Sequence, residues 1–280
     1  MSILRYDAGI KVLVVAGGHP YARDALVAAF DGMEDAACTL VEQPAASLLM
    51  TPEAMADFDA MVLYDMPGID FRVADPPRYV EPNPSLRDNF VRLLDAGKGI
   101  VALHHAIAGW PAWDDYAEWL GGRFLYRPGQ LRHTSRQDSG YRHDVTHEIA
   151  VVAPDHPITT GLPARFTLTD ELYLSEVFED DVIPLLRSGH AFRRDNFYSA
   201  AQAVAGRMYS NEGWAHADGP DLVGWVKRAR RSPLVYLQPG DGPATFADAH
   251  YRRLLANAIR WAASPEALAW ARHEHQGESR

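Results

Sequence analysis

The chain has 280 residues, 47% of them hydrophobic, and a formal net charge of −10 at pH 7. A chain of this length and composition can bury a substantial core as one large α/β domain. The negative charge argues against nucleic acid or an anionic membrane surface as a partner. No apolar run approaches the ~18 residues of a membrane span and no signal-peptide pattern opens the chain, so we expect a cytoplasmic protein. Cys38 is the one cysteine, which excludes an intramolecular disulfide and a thiolate zinc cluster.

Apolar segments alternate with helical periodicities through the first hundred residues. The pattern predicts strands at 11–16, 37–42, 59–64 and 99–104, and helices at 21–31, just after Thr51 and at 85–96. Residues 66–84 contain five prolines and no clear period, and we interpret them as a surface excursion that could close over a cleft. The alternation of strands and helices predicts an α/β fold with a mostly parallel, doubly wound sheet of the flavodoxin-like kind.

The pattern is less regular beyond Gly122. We predict short strands near 182–187, 202–209 and 233–238, an amphipathic helix at about 247–263 and a tail at 264–280. No internal repeat and no linker divides the chain. We therefore predict one domain over residues 1–280, with its core at about 10–263.

The end of the fourth predicted strand carries two histidines. The segment is apolar up to Leu103 and then breaks into His104, His105 and a small-residue turn. Ligands of open α/β sheets bind outside the carboxyl ends of the strands, where an imidazole can move protons, bind a metal or hold a polar group. We expect one ring to pack inward and the other to face the cleft. His104, the last residue of the strand, is the first choice for the catalytic group.

The first and third predicted strands add candidate substrate-binding residues. His19 follows Gly17 and Gly18, and these glycines permit either a tight turn or a close approach of the backbone to a ligand. We expect His19 to bind substrate, with capping or turn packing as the alternative. Asp65, directly after the third strand, is placed in the same group.

The sequence Asp170-Glu171-Leu172-Tyr173 places two carboxylates beside an aromatic ring. A carboxylate can act as a general base, or it can accept hydrogen bonds from adjacent sugar hydroxyls. We assign Glu171 to catalysis and both Asp170 and Tyr173 to substrate binding. The alternative for Asp170 is the capping of a turn.

Trp110, Trp113, Tyr116 and Trp119 recur at every third residue, which predicts one face of a helix. Such a stripe is typical of core packing. Sugars, however, present apolar C–H faces that stack on aromatic rings. Trp110 and Trp113, at the start of the helix, are therefore candidates for the wall of a sugar site.

Several histidines have a spacing that is compatible with a metal site. His143 and His147 are four residues apart and would share one face of a helix or of a strand. These two with a carboxylate, or His104 with His19 or His133, are the candidate zinc ligands. A divalent metal thus stays an open alternative. The glycine fingerprint of a dinucleotide site is absent, so no nucleotide cofactor is expected.

Six segments, taken in order, resemble the trehalose-utilisation (ThuA-like) family over about residues 10–263. The matching segments are Gly17-Gly18-His19, 99–106, 113–124, 156–163, Asp170-Glu171-Leu172-Tyr173 and 258–263. The resemblance implies the fold of class I glutamine amidotransferases and a role in carbohydrate metabolism.

The resemblance also bears on the chemistry. The family lacks the amidotransferase cysteine, and in this chain His104 and His105 stand at the strand turn, so we do not expect glutamine hydrolysis through a thioester. Such proteins typically carry Gly-His after the last core strand, where this chain has Gly240 and Asp241. We expect the role of that histidine to pass to Asp241 or His250, or to be lost.

Together these patterns predict an enzyme that acts on a sugar or keto-sugar derivative through acid–base chemistry of His104, His105 and Glu171, by isomerisation, elimination or hydrolysis. The alternatives are a non-catalytic sugar-binding or regulatory protein and a metal-dependent hydrolase. The expected partner is a small sugar, not nucleic acid or a membrane. Apolar helix residues such as Leu254 and Trp261 could also pack in a homo-oligomer.

Overall fold

The computed structural model describes residues 9–273, so that residues 274–280 of the predicted tail lie outside the described part. Its strands are β1 (Ile10–Gly17), β2 (Ala36–Glu42), β3 (Ala60–Asp65), β4 (Ile69–Asp70), β5 (Arg78–Tyr79), β6 (Gly99–Leu103), β7 (Gly122–Arg123), β8 (Gly129–Leu131), β9 (Thr134–Arg136), β10 (Gly140–Val151), β11 (Arg165–Leu174), β12 (Glu176–Val177), β13 (Ile183–Ser188), β14 (Tyr198–Ser199), β15 (Leu222–Ala229) and β16 (Ser232–Leu237). Its helices are α1 (Arg23–Asp31), α2 (Ala45–Leu49), α3 (Pro84–Ala96), α4 (Asp114–Leu120), α5 (Ala200–Val204), α6 (Pro243–Ala247), α7 (Ala249–Ala262) and α8 (Pro265–Arg272).

The central sheet has the strand order β11-β10-β13-β15-β16-β6-β3-β1-β2, with β14 paired to β10. The neighbours β2, β1, β3, β6 and β16 run parallel to one another. From β16 outwards, β15, β13, β10 and β11 continue the sheet antiparallel. The predicted α/β fold with a doubly wound parallel core is confirmed. The antiparallel extension brings β11, which carries Glu171, towards the strand ends of that core.

Helices cover both faces of the sheet because its strands are apolar on both sides. In β1, Val12 and Val14 pack into one apolar cluster with α1, α7 and α8, whereas Leu13 and Val15 pack into another with α3 and α4. This two-sided burial explains the uninterrupted apolar runs, which are typical of parallel strands. Both faces of the parallel core are therefore covered by helices.

The boundaries of α3 follow from its sequence. The side chain of Asn83 accepts a hydrogen bond from the backbone N–H of Leu86 at 2.8 Å, and Pro84 occupies the first helical position. Gly97 ends the helix in a left-handed conformation with φ 85°. An N-cap, an N-terminal proline and a C-terminal glycine are the signals that begin and end helices.

Two expectations along the chain are wrong. Residues 202–209 do not form a strand, because the Ser199 hydroxyl accepts from the backbone N–H of Gln202 and starts the short helix α5. The helix expected after Thr51 is a single 3-10 turn at Ala54–Asp57. The excursion at 66–84 contains the small β4–β5 hairpin. Within residues 9–273 no helix is long and apolar enough to cross a membrane, and the cytoplasmic location stays a prediction.

Candidate active site

The strand β6 ends in a strained turn that presents two consecutive imidazoles. His104 has a left-handed backbone with φ 36° and opens a 3-10 turn over His104–Ala108. A non-glycine residue in this region costs about 1–3 kcal/mol, and such strain is typical of functional sites. The Tyr236 hydroxyl donates to the His104 carbonyl at 3.0 Å and supports the turn. The rings of His104 and His105 consequently lie 4.5 Å apart at the carboxyl edge of the sheet.

His104 is completely buried beneath the site. Its Nδ1 donates to the backbone carbonyl of Gln238 at 2.5 Å, and its Nε2 lies 2.9 Å from Oε2 of Glu171. Burial by itself lowers the pKa of His104, but the hydrogen bond to Glu171 and the charge of Asp241 outweigh it and raise the pKa to about 9. His104 therefore packs inward and does not line the cleft, contrary to its first place among the sequence candidates.

His105 is the imidazole that faces the cleft. A hydrogen bond of 2.9 Å joins its Nδ1 to the hydroxyl of Tyr173. Its Nε2 lies 3.3 Å from Oδ1 of Asp241 without the alignment of a hydrogen bond, and it has no other hydrogen-bond partner among the described residues. Burial and the neighbouring charge of His104 hold the pKa of His105 well below its usual value, so that this ring is neutral at pH 7.

Two carboxylates face these imidazoles from different elements. Glu171, on β11, contacts His104 through Oε2, while its Oε1 lies 3.2 Å from Nδ1 of His143. Asp241 follows β16; burial opposes its ionisation, but His105 and His104 lower its pKa. The structure therefore gives Asp241 a place in the site. His250, the other expected substitute for the family's histidine, packs instead against Phe166.

Asp170 holds the loop that carries Asp241 in place. Its carboxylate accepts hydrogen bonds from the backbone N–H of Gly240 at 2.6 Å and of Asp241 at 3.2 Å. Burial raises the pKa of Asp170 to about 6. Asp170 does not line the cleft, and its turn-holding alternative is the arrangement found.

The glycine pair before His19 permits a close approach between two loops. Gly18 has φ 87°, and a Cβ atom at this position would lie 2.4 Å from the carbonyl oxygen of Met66. His19 then donates from Nε2 to the Tyr64 carbonyl at 2.9 Å, and its ring centroid lies 3.5 Å from that of His105. Burial lowers the pKa of His19. His19 lines the cleft beside His105.

The cleft has a volume of about 620 Å³, with a polar floor and an apolar wall. The floor is formed by His19, His105, His143, Glu171 and Asp241. The wall is mostly aromatic and includes Phe71, Phe124, Tyr126, Tyr141 and Tyr173, with Met66 and Met208. Phe71 belongs to the excursion at 66–84, so this segment borders the cleft.

The predicted tryptophan wall is wrong. Trp113 is 3% exposed, stacks on Tyr116 and packs against Phe90 in the helix-facing core. Trp110 donates its backbone N–H to the Pro67 carbonyl at 2.7 Å and packs against Gly68. The aromatic stripe of the sequence is therefore core packing. Asp65 is likewise buried outside the cleft, where it accepts from Nε2 of Gln43 at 2.8 Å.

The proposed pairing of His143 and His147 is also wrong, because the register of β10 shifts between Arg142 and Val145. An inserted residue reverses the alternation of side chains along a strand. Tyr141 and His143 thus line the cleft, while Val145 and Ile149 pack into the cluster on the other face. His147 lies with them, and its Nδ1 contacts the Ser188 hydroxyl at 2.7 Å. His133 is exposed in the β8–β9 turn.

The sequence analysis missed Gln238, which connects the two halves of the site. It is 1% exposed and directly follows β16. Its side-chain oxygen accepts from the backbone N–H of Tyr173 at 3.0 Å, and its amide donates to the carbonyl of the same residue at 3.3 Å. A polar residue directly after an apolar buried strand was the signal that could have identified it.

Four side chains of this site have ligand atoms that could surround a cation. One atom from each of His104, His105, Glu171 and Asp241 lies within 4.8 Å of the others. Among residues 9–273, no other group of three or more histidine, cysteine or acidic side chains has such a geometry. The donors are nitrogen and oxygen atoms, which suit divalent transition metals.

Comparisons with known proteins agree with this architecture. A protein of Parabacteroides merdae described as ThuA-like has a TM-score of 0.61 at 14% identity, covering 91% of this chain and 90% of that one. A ThuA-like protein of Bacteroides uniformis has 0.55 at 20% identity, covering 92% and 93%. A cytoplasmic protein of Salmonella typhimurium has 0.54 at 13% identity, covering 90% and 99%. At these identities the likeness concerns the fold alone.

No curated protein sequence matches the chain significantly. The sequence model of the family described as trehalose utilisation matches residues 11–262, nearly the whole described chain. The protein therefore belongs to the ThuA family, whose description implies a carbohydrate-related role.

Proposed function

We propose that the protein is an enzyme that acts on a sugar or keto-sugar derivative by moving protons between imidazole and carboxylate groups. The observation that carries this proposal is the convergence of His105, His143, Glu171 and Asp241 on the floor of one aromatic-walled cleft. Acid–base groups placed within reach of one substrate contribute typically about 10²–10⁴-fold to a rate. Isomerisation, elimination and hydrolysis all need such transfers.

The cleft supports a sugar as the substrate class. Carboxylate oxygens accept hydrogen bonds from adjacent hydroxyls, and Glu171 and Asp241 offer them side by side. Tyr126, Tyr141 and Phe124 present ring surfaces to the same space, on which the apolar C–H face of a sugar can stack. A cleft that combines polar and aromatic groups can fix the orientation of a ligand.

The residues take distinct roles in this proposal. His105 is the proton-transferring group at the cleft surface, held by Tyr173 through its Nδ1. Glu171 orients hydroxyls or transfers a second proton. His104 supports Glu171 from below and orients it. Thioester chemistry is not part of the proposal, because the strand turn carries His104 and His105 while Cys38 belongs to β2.

A panel of aldoses, ketoses, disaccharides and keto-sugar derivatives tests the proposal. Binding is measured by calorimetry and turnover by NMR, for the wild type, His105→Asn and the exposed-site control His133→Asn. We expect turnover of at least one keto-sugar, a loss of roughly 100-fold or more in His105→Asn with binding nearly unchanged, and no loss in the control. Binding without turnover across the panel would indicate a non-catalytic sugar-binding protein instead. Turnover equal in His105→Asn and wild type would also contradict the proposal.

A further inference from the structure

Both buried imidazoles at the end of β6 direct their Nε2 atoms at carboxylates. His104 uses Nδ1 to donate to the Gln238 carbonyl, which can only accept, so the proton of a neutral ring lies on Nδ1. The Nε2 lone pair of such a ring would face Oε2 of Glu171 at 2.9 Å. Two acceptors at this distance require either a proton between them, on the ring or on the carboxyl group, or a bound cation.

His105 also directs its Nε2 at a carboxylate, and this nitrogen has no hydrogen-bond partner within residues 9–273. Its Nδ1 is occupied by Tyr173, and its Nε2 lies 3.3 Å from Oδ1 of Asp241 without forming a hydrogen bond. The residue is 8% exposed, so this nitrogen is a buried polar atom without a partner among the described residues. A buried nitrogen without a partner destabilises the folded protein, and a bound cation would supply that partner.

The four ligand atoms lie within 4.8 Å of one another, and three of their separations lie between 2.9 and 3.9 Å. The distance from Nε2 of His104 to Oδ1 of Asp241 is 3.9 Å, and that from Nε2 of His105 to the same oxygen is 3.3 Å. Ligands at ~2.0–2.1 Å in a tetrahedron stand about 3.4 Å apart. We propose that His104, His105, Glu171 and Asp241 bind a divalent transition-metal ion such as Zn²⁺.

Neighbouring groups hold all four ligands in place. Gln238 and Tyr173 bind the outer nitrogens of the two imidazoles, His143 lies 3.2 Å from the second oxygen of Glu171, and Asp170 fixes the backbone that carries Asp241. Such outer contacts orient metal ligands and raise their affinity. The two carboxylates supply a formal charge of −2, which one divalent cation neutralises.

The inference goes beyond the proposed function and does not depend on it. His105, Glu171 and Asp241 line the cleft whereas His104 lies below, so the open side of a bound ion would face the ligand space. A hydroxyl or carbonyl oxygen of a sugar could then complete its coordination. In the metal-bound state His105 would be a ligand instead of the proton-transferring group assigned above, and that role would pass to His143, which lines the same cleft.

Titration of the metal-free protein with Zn²⁺, followed by calorimetry and by the visible spectrum after Co²⁺ replacement, tests the site without any sugar. The variants are His105→Gln and Asp241→Asn, and the controls are the exposed His133→Asn and the half-buried His250→Asn, both of residues that do not line the cleft. We expect one equivalent to bind the wild type and both controls. Each site variant should bind at least roughly 10–100-fold more weakly, the loss that even an outer contact causes.

Far-UV circular dichroism and the thermal unfolding midpoint check that each variant is folded. If His105→Gln does not fold, Asp241→Asn still decides the test, because Asp241 lies on a loop at the mouth of the site. No stoichiometric binding by the wild type would overturn the inference, as would unchanged affinity in a folded Asp241→Asn protein. Neither result bears on turnover of sugars, so the two proposals fail separately.

Discussion

The backbone carbonyl of Gln238 accepts a hydrogen bond from Nδ1 of His104 at 2.5 Å, across 134 positions of sequence. This contact fixes the orientation of the imidazole and turns Nε2 towards Glu171. The side chain of the same glutamine bonds both backbone polar groups of Tyr173. One buried residue thus sets the positions of an inner histidine and of a tyrosine in the cleft wall.

Replacement of Gln238 by leucine should destabilise the protein without a large change in volume. The backbone N–H and carbonyl of Tyr173 would lose their side-chain partners inside the protein. Each buried unsatisfied group costs about 1–3 kcal/mol, so we expect the free energy of unfolding to fall by about 2–4 kcal/mol in urea. The exposed Gln130 is the matched control, and Gln130→Leu should change it by less than about 0.5 kcal/mol. Equal effects in the two variants would mean that Gln238 does not hold Tyr173.

Trp113 and Phe71 should respond in opposite ways to truncation. Trp113 is 3% exposed and packs in the core, so Trp113→Ala should lower the free energy of unfolding by about 3–5 kcal/mol. Phe71 is 37% exposed and lines the cleft, so Phe71→Ala should cost less than about 1 kcal/mol but weaken sugar binding several-fold. Urea unfolding and calorimetric titration separate the two effects. A stable Trp113→Ala protein with impaired sugar binding would reverse this assignment.

His147 should make the protein less stable in mild acid. Burial, with the nearby His190, lowers the pKa of His147 to about 4. Because the unfolded chain takes up this proton near pH 6.5 and the folded protein only near pH 4, the contribution of His147 is full above pH 6.5 and is lost as the pH falls towards 4. The expected loss is about 3 kcal/mol over this window.

Unfolding of wild type and of His147→Gln, measured between pH 4 and pH 7, tests this dependence. Glutamine keeps a polar partner for the Ser188 hydroxyl but does not titrate. The stability of the variant should therefore fall less steeply with acid than that of the wild type. Parallel profiles would show that His147 does not contribute to the pH dependence.

The parts of the site that follow from local sequence could be predicted. An apolar run that breaks into His104 and His105 gives the end of a buried strand, and the parallel order of the core strands places it at the ligand-binding edge. The adjacent Asp170 and Glu171 could be chosen as candidate carboxylates, although the pattern predicts no strand there; both lie in β11. The resemblance to the ThuA family, confirmed by the family match, supplied the fold.

The remaining parts depend on contacts between distant segments. Gln238 meets Tyr173 only after β16 has been placed in the sheet, and the wall combines Phe71 with Tyr141 from another sheet region. The register shift in β10 separates His143 from His147, and no residue pattern indicated it. Trp113 has the kind of side chain that stacks on sugars. It lies directly before α4, however, and packs in the core against Phe90 of α3.

The most direct test of the account is hydrogen exchange of a keto-sugar in D₂O, followed by ¹H NMR with wild type, Glu171→Gln and the exposed-site control Glu34→Gln. Proton transfer next to a carbonyl replaces that C–H by C–D even when no net product accumulates. The account predicts exchange in the wild type and in Glu34→Gln, and a decrease of roughly 100-fold or more in Glu171→Gln. A keto-sugar that binds in the cleft and neither exchanges nor reacts, or exchange that persists unchanged in Glu171→Gln, would contradict it.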